Sequence, residues 1–148
     1  TKAWVKYVTK NEWLVDWAGA KIREAGSGSD VTVGVEVWNR GRQFEVDVVV
    51  IRGHRIYVAS CTTDSTTDLC KGKLFEVAFR AQQLGGGLAR SAVVCLAEKN
   101  GQELLQADVE AAWGSSNTPQ VFGAAHLREW AGIDGPANVA DLRSWLAS

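Results

Sequence analysis

Hydrophobic and polar positions change period several times along the chain, and each change marks an element. Between Asn11 and Ala25, Trp13, Leu14, Trp17 and Ala20, with Lys21 beside them, recur at i, i+1, i+4, i+7 and i+8. That spacing predicts a helix with one apolar face. Asn11 is placed to cap its start, and Gly26-Ser27-Gly28-Ser29 breaks it. Val31, Val33, Val35 and Val37 then alternate with polar or small residues, the pattern of a half-buried strand. Asn39-Arg40-Gly41-Arg42 reads as a hairpin turn. The next strand begins by alternating at Phe44-Glu45-Val46-Asp47 and ends in the apolar run Val48-Val49-Val50-Ile51, which suits a strand covered on both faces. Arg52-Gly53-His54-Arg55 is a tight turn into a third strand from Ile56 to Thr63.

A polar loop, Thr62 to Asp68, leads to a helix over 69–84, with Leu74, Val77, Ala78, Ala81 and Leu84 inward and Asp68 as its cap. Gly85-Gly86-Gly87 ends it, and 91–97 is a second apolar run, hence a second central strand. A helix follows over 101–113, with Leu104, Leu105, Val109 and Ala112 inward. Pro119 to Phe122 reads as a short Pro-led edge strand. Helices over 124–131 and 138–147 close the chain around Gly132-Ile133-Asp134-Gly135-Pro136. Three consecutive strands followed by alternating helices and strands predict an α/β mixed sheet flanked by helices, in the order α-β-β-β-α-β-α-β-α.

Composition narrows the class. At 148 residues the chain has the size of one domain, with 46% apolar and 22% charged residues, ordinary for a globular protein. It contains no apolar span long enough for a membrane helix and no signal peptide, so a cytoplasmic protein is expected. It also lacks methionine, position 1 included, which suggests a piece of a longer chain with an upstream domain. Cys61, Cys70 and Cys95 show neither CxxC spacing nor His neighbours, so reduced core thiols are expected rather than a zinc site. The net charge of −1 conceals 13 Lys/Arg against 10 Asp/Glu in residues 1–97, and 3 against 7 in the rest. The first part therefore suits a phosphate-facing edge, although a near-neutral domain is a weak footing for a standalone nucleic-acid binder.

The central strands carry the candidate chemistry. Glu45-Val46-Asp47-Val48-Val49 is similar to a Glu-Leu-Asp-Val-Leu strand. Arg55 to Thr63, Arg-Ile-Tyr-Val-Ala-Ser-Cys-Thr-Thr, is similar to Arg-Leu-Tyr-Val-Ile-Glu-Cys-Lys-Thr. Glu12-Trp13-Leu14-Val15-Asp16 is similar to a Gly-Trp-Leu/Phe-Glu-Glu helix opening. Lys73-Leu74-Phe75-Glu76 with Leu84-Gly85-Gly86 is similar to a helix and glycine turn that follow. Together, over residues 11–97, these segments resemble the PD-(D/E)XK nuclease domain of CRISPR ancillary nucleases activated by cyclic oligoadenylate, in which a CARF sensor domain precedes the nuclease. The resemblance implies a restriction-endonuclease-like fold, an antiviral-defence role, a homodimer, an upstream CARF-type domain and catalysis with Mg²⁺ or Mn²⁺.

The departures fall on the reacting groups. The family's strand glutamate and lysine stand at Ser60 and Thr62, and its helix glutamate at Val15, while Asp47 remains. A divalent ion needs hard oxygen ligands, of which Asp47 supplies one; Ser60 is a neutral donor and Thr62 carries no charge. A degenerate site is therefore expected, serving assembly or nucleic-acid contact. The alternative is an active divergent endonuclease for DNA or RNA, with Glu45 as a second ligand, Asp16, Asp64 or Asp68 as substitutes, and Lys71 or Lys73 in place of the lysine. A third reading is an unrelated α/β domain, in which Asp47 would not lie beside Ser60 and Thr62. Arg42, Arg52, Arg55 and Lys73, with Arg40, are candidates for backbone phosphate contact, or ordinary solvated charge. Trp4, Trp38 and Trp113 are candidates for base stacking or for packing. His54 and His126 are isolated.

Overall fold

The computed structural model describes residues 11–114 and 117–148, so Trp4 lies outside the described residues. The elements are helix α1 (Glu12–Ala25), strands β1 (Asp30–Asn39), β2 (Arg42–Arg52) and β3 (Arg55–Cys61), helix α2 (Thr67–Gly85), strand β4 (Arg90–Val94), helix α3 (Lys99–Trp113), strand β5 (Gln120–Phe122), and helices α4 (Ala124–Ala131) and α5 (Ala140–Ala147). The five strands form one sheet in the order β1-β2-β3-β4-β5. The first three pair antiparallel, and β3-β4 and β4-β5 pair parallel. The mixed sheet expected from the sequence is present, and β5 is an edge strand.

The sheet is buried on both faces. On one face, Leu14, Ala18 and Ile22 of α1, Trp130 of α4, and Leu142 and Leu146 of α5 cover Val48, Val50, Ala92 and Phe122. On the other face, α2 and α3 bring Cys70, Leu74, Leu105 and Val109 against Val93 and Val121. Val77 and Ala81 of α2 meet Val46 and Val58 there as well. Each fully buried side chain of this size contributes about 1.5–3 kcal/mol relative to exposure. The aromatic rings interlock edge to face: Phe122 lies 5.1 Å from Trp130, and Tyr57 lies 5.2 Å from Trp145.

Several local expectations change. The buried residues of α1 include Leu14, Ala18, Ile22 and Ala25, while Trp13 and Trp17 are half-buried and Ala20 is exposed. The helix is turned so that small residues approach the sheet: a Cβ on Gly19 would lie 2.6 Å from Val33. Asn11 does not cap α1; it sits at φ 65° and its side chain bonds elsewhere. Asp68 lies inside the first turn of α2, and Thr66 precedes that helix. In α3, Gln102, Leu105 and Val109 are buried, whereas Leu104 and Ala112 are exposed.

The β1-β2 hairpin is longer than the rest of the sheet. It pairs from Asp30↔Ile51 to Asn39↔Arg42, but β3 follows β2 only as far as Val48↔Ala59. The ribbon also changes layer. Val31, Val33, Val48 and Val50 belong to the α1 face, whereas Val37, Phe44 and Val46 belong to the α2 face. The crossover falls at Gly34, which stands at φ +63° across from Asp47, between the pairs Val33↔Val48 and Val35↔Val46. A left-handed residue inside a strand suits glycine and marks a bend.

Candidate functional site

Where β2 bends away from β3, the ladder between them stops and leaves backbone groups of β3 to be satisfied otherwise. Asp47 takes over. Its Oδ2 accepts the backbone N–H of Cys61 at 2.8 Å and the Ser60 hydroxyl at 3.3 Å. The fold thus brings Asp47 beside Ser60. Thr62 is near but turned inward. It is 1% exposed, its backbone N–H donates to Val94 O at 2.9 Å, and its hydroxyl donates to Asp64 Oδ2 at 3.0 Å.

A cleft of about 660 Å³ opens over Asp47. The start of α1 lines one wall with Glu12, Val15 and Asp16, β1 and β2 supply Gly34, Glu45 and Asp47, and α2 supplies Lys73. Asn11 holds α1 at the mouth: its Oδ1 accepts the backbone N–H of Thr63 at 3.1 Å and the Thr63 hydroxyl at 2.6 Å. A smaller adjoining hollow is lined by Glu45, Asp47, Ser60, Lys73 and Arg80. The Arg80 guanidinium stacks on Phe44, 4.1 Å from the ring centre, and Lys73 lies 4.0 Å from Glu76. Sequence reasoning missed Gly34, Glu12 and Arg80. Gly34 occupies a small position in an alternating strand and carries no distinctive signal there.

Four carboxylates and one ammonium face the main cleft. Asp47 accepts hydrogen bonds from Cys61 and Ser60, and Glu45 and Asp16 are exposed. Among the described residues, no group of three or more His, Cys, Asp or Glu is close enough to hold a metal ion. Mg²⁺ demands a near-octahedral oxygen shell, usually anchored by carboxylates. Asp47 with a neutral Ser60 falls short of that donor set. Cys61, beside Asp47, is buried and its thiol is pushed well up, first by desolvation and then by the Asp47 charge, so it stays protonated. Cys70 and Cys95 are likewise buried free thiols, and burial pushes Cys70 up to about 12.

The other expected site residues are dispersed. Arg42 starts β2 at the hairpin tip, where Trp38 is 69% exposed. Arg52 and Arg55 face each other at the opposite end of β2-β3, five residues from Asp47, or about 17 Å at the rise of a strand. Asp64 and Asp68 are exposed loop and helix-start groups, and Lys71 is exposed. Trp113 stacks on Phe75 at 6.2 Å and donates to Asn117. His54 is exposed in its turn, and His126 accepts the backbone N–H of Gly123 through Nδ1 at 3.1 Å.

The sheet order, its parallel second half and the bent second strand define an α/β domain of the restriction-endonuclease-like kind. Solved structures that share this fold include the following two. One is protein VC1899 from Vibrio cholerae, at 18% identity, with a TM-score of 0.59 over 91% of this chain and 32% of that one. The other is Can2 from Sulfobacillus thermosulfidooxidans, solved in complex with cyclic tetra-adenylate, at 12% identity, with a TM-score of 0.57 over 80% of this chain and 33% of that one. The chain therefore spans about a third of the length of each. No protein-family model and no curated protein matches the sequence. Among the described residues, no helix is long and apolar enough to cross a membrane.

Proposed function

We propose that this chain is the nuclease-like domain of a CRISPR-associated defence protein, with an impaired catalytic centre that serves assembly or nucleic-acid contact. One observation supports the reading: the Ser60 hydroxyl and the Cys61 backbone N–H both donate to Oδ2 of Asp47, so position 60 offers this carboxylate a hydrogen bond rather than a second metal-binding carboxylate. A carboxylate at position 60 would complete a metal-binding pair, and a serine there instead donates to Asp47. No positive charge stands at Thr62 to orient a water or offset developing charge. The fold shared with Can2, held with cyclic tetra-adenylate, supports a place in a longer, oligoadenylate-sensing protein with an upstream CARF-type domain, of which this chain would be about a third. A homodimer and contact with DNA or RNA through Arg42 and Lys73 belong to the same proposal.

A second reading is favoured by the cleft itself. Glu12, Asp16, Glu45 and Lys73 line it with Asp47, so a rearranged carboxylate set with Lys73 as the cation would make a divergent Mg²⁺- or Mn²⁺-dependent endonuclease. Calorimetry with Mn²⁺, alongside cleavage assays on plasmid and single-stranded substrates, separates the two. The impaired site predicts no saturable binding up to millimolar metal and no cleavage. Metal binding with cleavage that disappears in Asp47→Ala would establish the divergent enzyme instead.

A further inference from the structure

Helix α2 is apolar on two sides. Cys70, Leu74, Val77, Ala78 and Ala81 make its buried face. On the opposite side Leu69 is 53%, Phe75 40% and Phe79 59% exposed. With Gly72 they recur every three or four residues, which sets them on one face of the helix. A helix that is apolar all round is ordinarily covered all round, and a contiguous exposed apolar patch marks a contact surface. Among the described residues, Trp113 stacks on Phe75 at 6.2 Å and the Arg80 guanidinium lies 5.9 Å from the Phe79 ring, yet both phenylalanines stay exposed.

Gly72 is a second, independent mark. It lies inside α2, where glycine is less favourable than alanine. Its backbone is not left-handed, and a Cβ there would meet nothing within 4 Å. Neither conformation nor space within this chain calls for a glycine. A bare turn of helix does let a ring or a second backbone approach closely.

Charge names the occupant. Lys73 and Glu76 are exposed beside the apolar row, opposite in sign and three residues apart. Turned end for end, the helix presents the two charges in reverse order. An antiparallel copy therefore sets each Lys73 within reach of the other copy's Glu76, whereas a parallel copy sets like beside like. With the axis between Phe75 and Glu76, Gly72 of one copy stands opposite Phe79 of the other, so the exposed ring lies on the bare backbone twice. A two-fold interface requires this kind of self-complementarity.

We infer that the outer face of α2, built from Leu69, Gly72, Phe75 and Phe79, is an antiparallel two-fold interface between two copies of this chain. The inference rests on the homodimer in the reading above and gives it a surface.

The test is sedimentation equilibrium of the chain over the micromolar range, with circular dichroism and urea titration as controls of the fold. A reversible dimer is expected. Phe79→Asp should weaken it about tenfold or more. Gly72→Leu carries the sharper prediction. Leucine is the better helix former and finds open space in the monomer, so the fold should be kept or stabilised while the dimer weakens by a comparable factor. A generally sticky face would associate more tightly with leucine, and that result would overturn the proposal. Glu76→Lys should weaken the dimer, and adding Lys73→Glu should restore it. A dimer unchanged in Phe79→Asp and Gly72→Leu would keep the homodimer and overturn this surface. A monomer throughout the range would overturn both, and the reading of the cleft would still be decided separately by the metal titration.

Discussion

Gly34 decides more of the site than its size suggests. Its φ of +63° lets the hairpin cross from one core layer to the other, and that crossing carries Asp47 out of the β2-β3 ladder and over the cleft. A Cβ there would meet nothing nearer than Glu45 Oε1 at 3.9 Å, so space is not the obstacle. The cost of a side chain is conformational, about 1–2 kcal/mol for an L residue held left-handed. Gly34→Ala should lower unfolding stability by that amount in a urea titration. A loss much below it would mean that the bend tolerates ordinary backbone. Ser60 illustrates the opposite case. Its identity was legible in the sequence, and so was its place on the strand next to Asp47, because the turn at Gly53-His54 sets the register. That its hydroxyl donates to the carboxylate required the bend as well.

At the scale of elements, the long hairpin and α1 frame the cleft, and Asn11 ties the start of α1 to the segment that follows β3. Its carboxamide oxygen accepts two hydrogen bonds from Thr63, and its left-handed backbone starts the helix at that angle. Asparagine tolerates this conformation better than most residues. Asn11→Ala removes both bonds and the backbone match, and should cost about 1–3 kcal/mol at 0.5–1.5 kcal/mol per bond. Faster amide exchange concentrated in α1 should accompany the loss; exchange spread evenly over the molecule would show that Asn11 holds no particular element. The helix faces show where periodicity stops being decisive. Trp13 and Trp17 keep helical spacing, yet Ala18, Gly19 and Ile22 meet the sheet, because a helix lying on strands brings its small residues closest. In α3, Gln102 is buried because its amide donates to Val121 O at 3.2 Å, a partner no local pattern reveals.

Across the whole molecule, acid stability depends on groups that the fold desolvates. His126 is held below its ordinary pKa of 6.5, chiefly by burial. Asp141 pulls the other way across 3.8 Å, but it is 49% exposed, and its attraction is the smaller effect. Nδ1 accepts the Gly123 N–H, which fixes the neutral imidazole with its proton on Nε2. The sign follows. The unfolded chain takes up the proton first, so the stabilising contribution is complete above the ordinary pKa of 6.5 and is lost as the pH falls through it toward the lower folded value. Wild-type stability should therefore decline below about pH 6.5, and His126→Gln should flatten that part of the profile. An unchanged profile would assign the decline to carboxylates instead.

The sequence alone determined the order of elements, the mixed sheet, the continuous apolar strands and the uncharged residues Ser60 and Thr62 beside the strand that carries Asp47. These follow from local periods, turn residues and residue identity, which act over a few positions. Tertiary structure decided that Asp47 bonds to Ser60 and Cys61, that Thr62 turns inward, and that Arg52 and Arg55 sit far from the cleft beside Arg90. Those outcomes depend on strand register, on one left-handed glycine, and on a parallel β3-β4 pairing that joins residues distant in the chain. Such pairings are set by the packing of two core layers on one sheet rather than by any stretch of sequence read by itself.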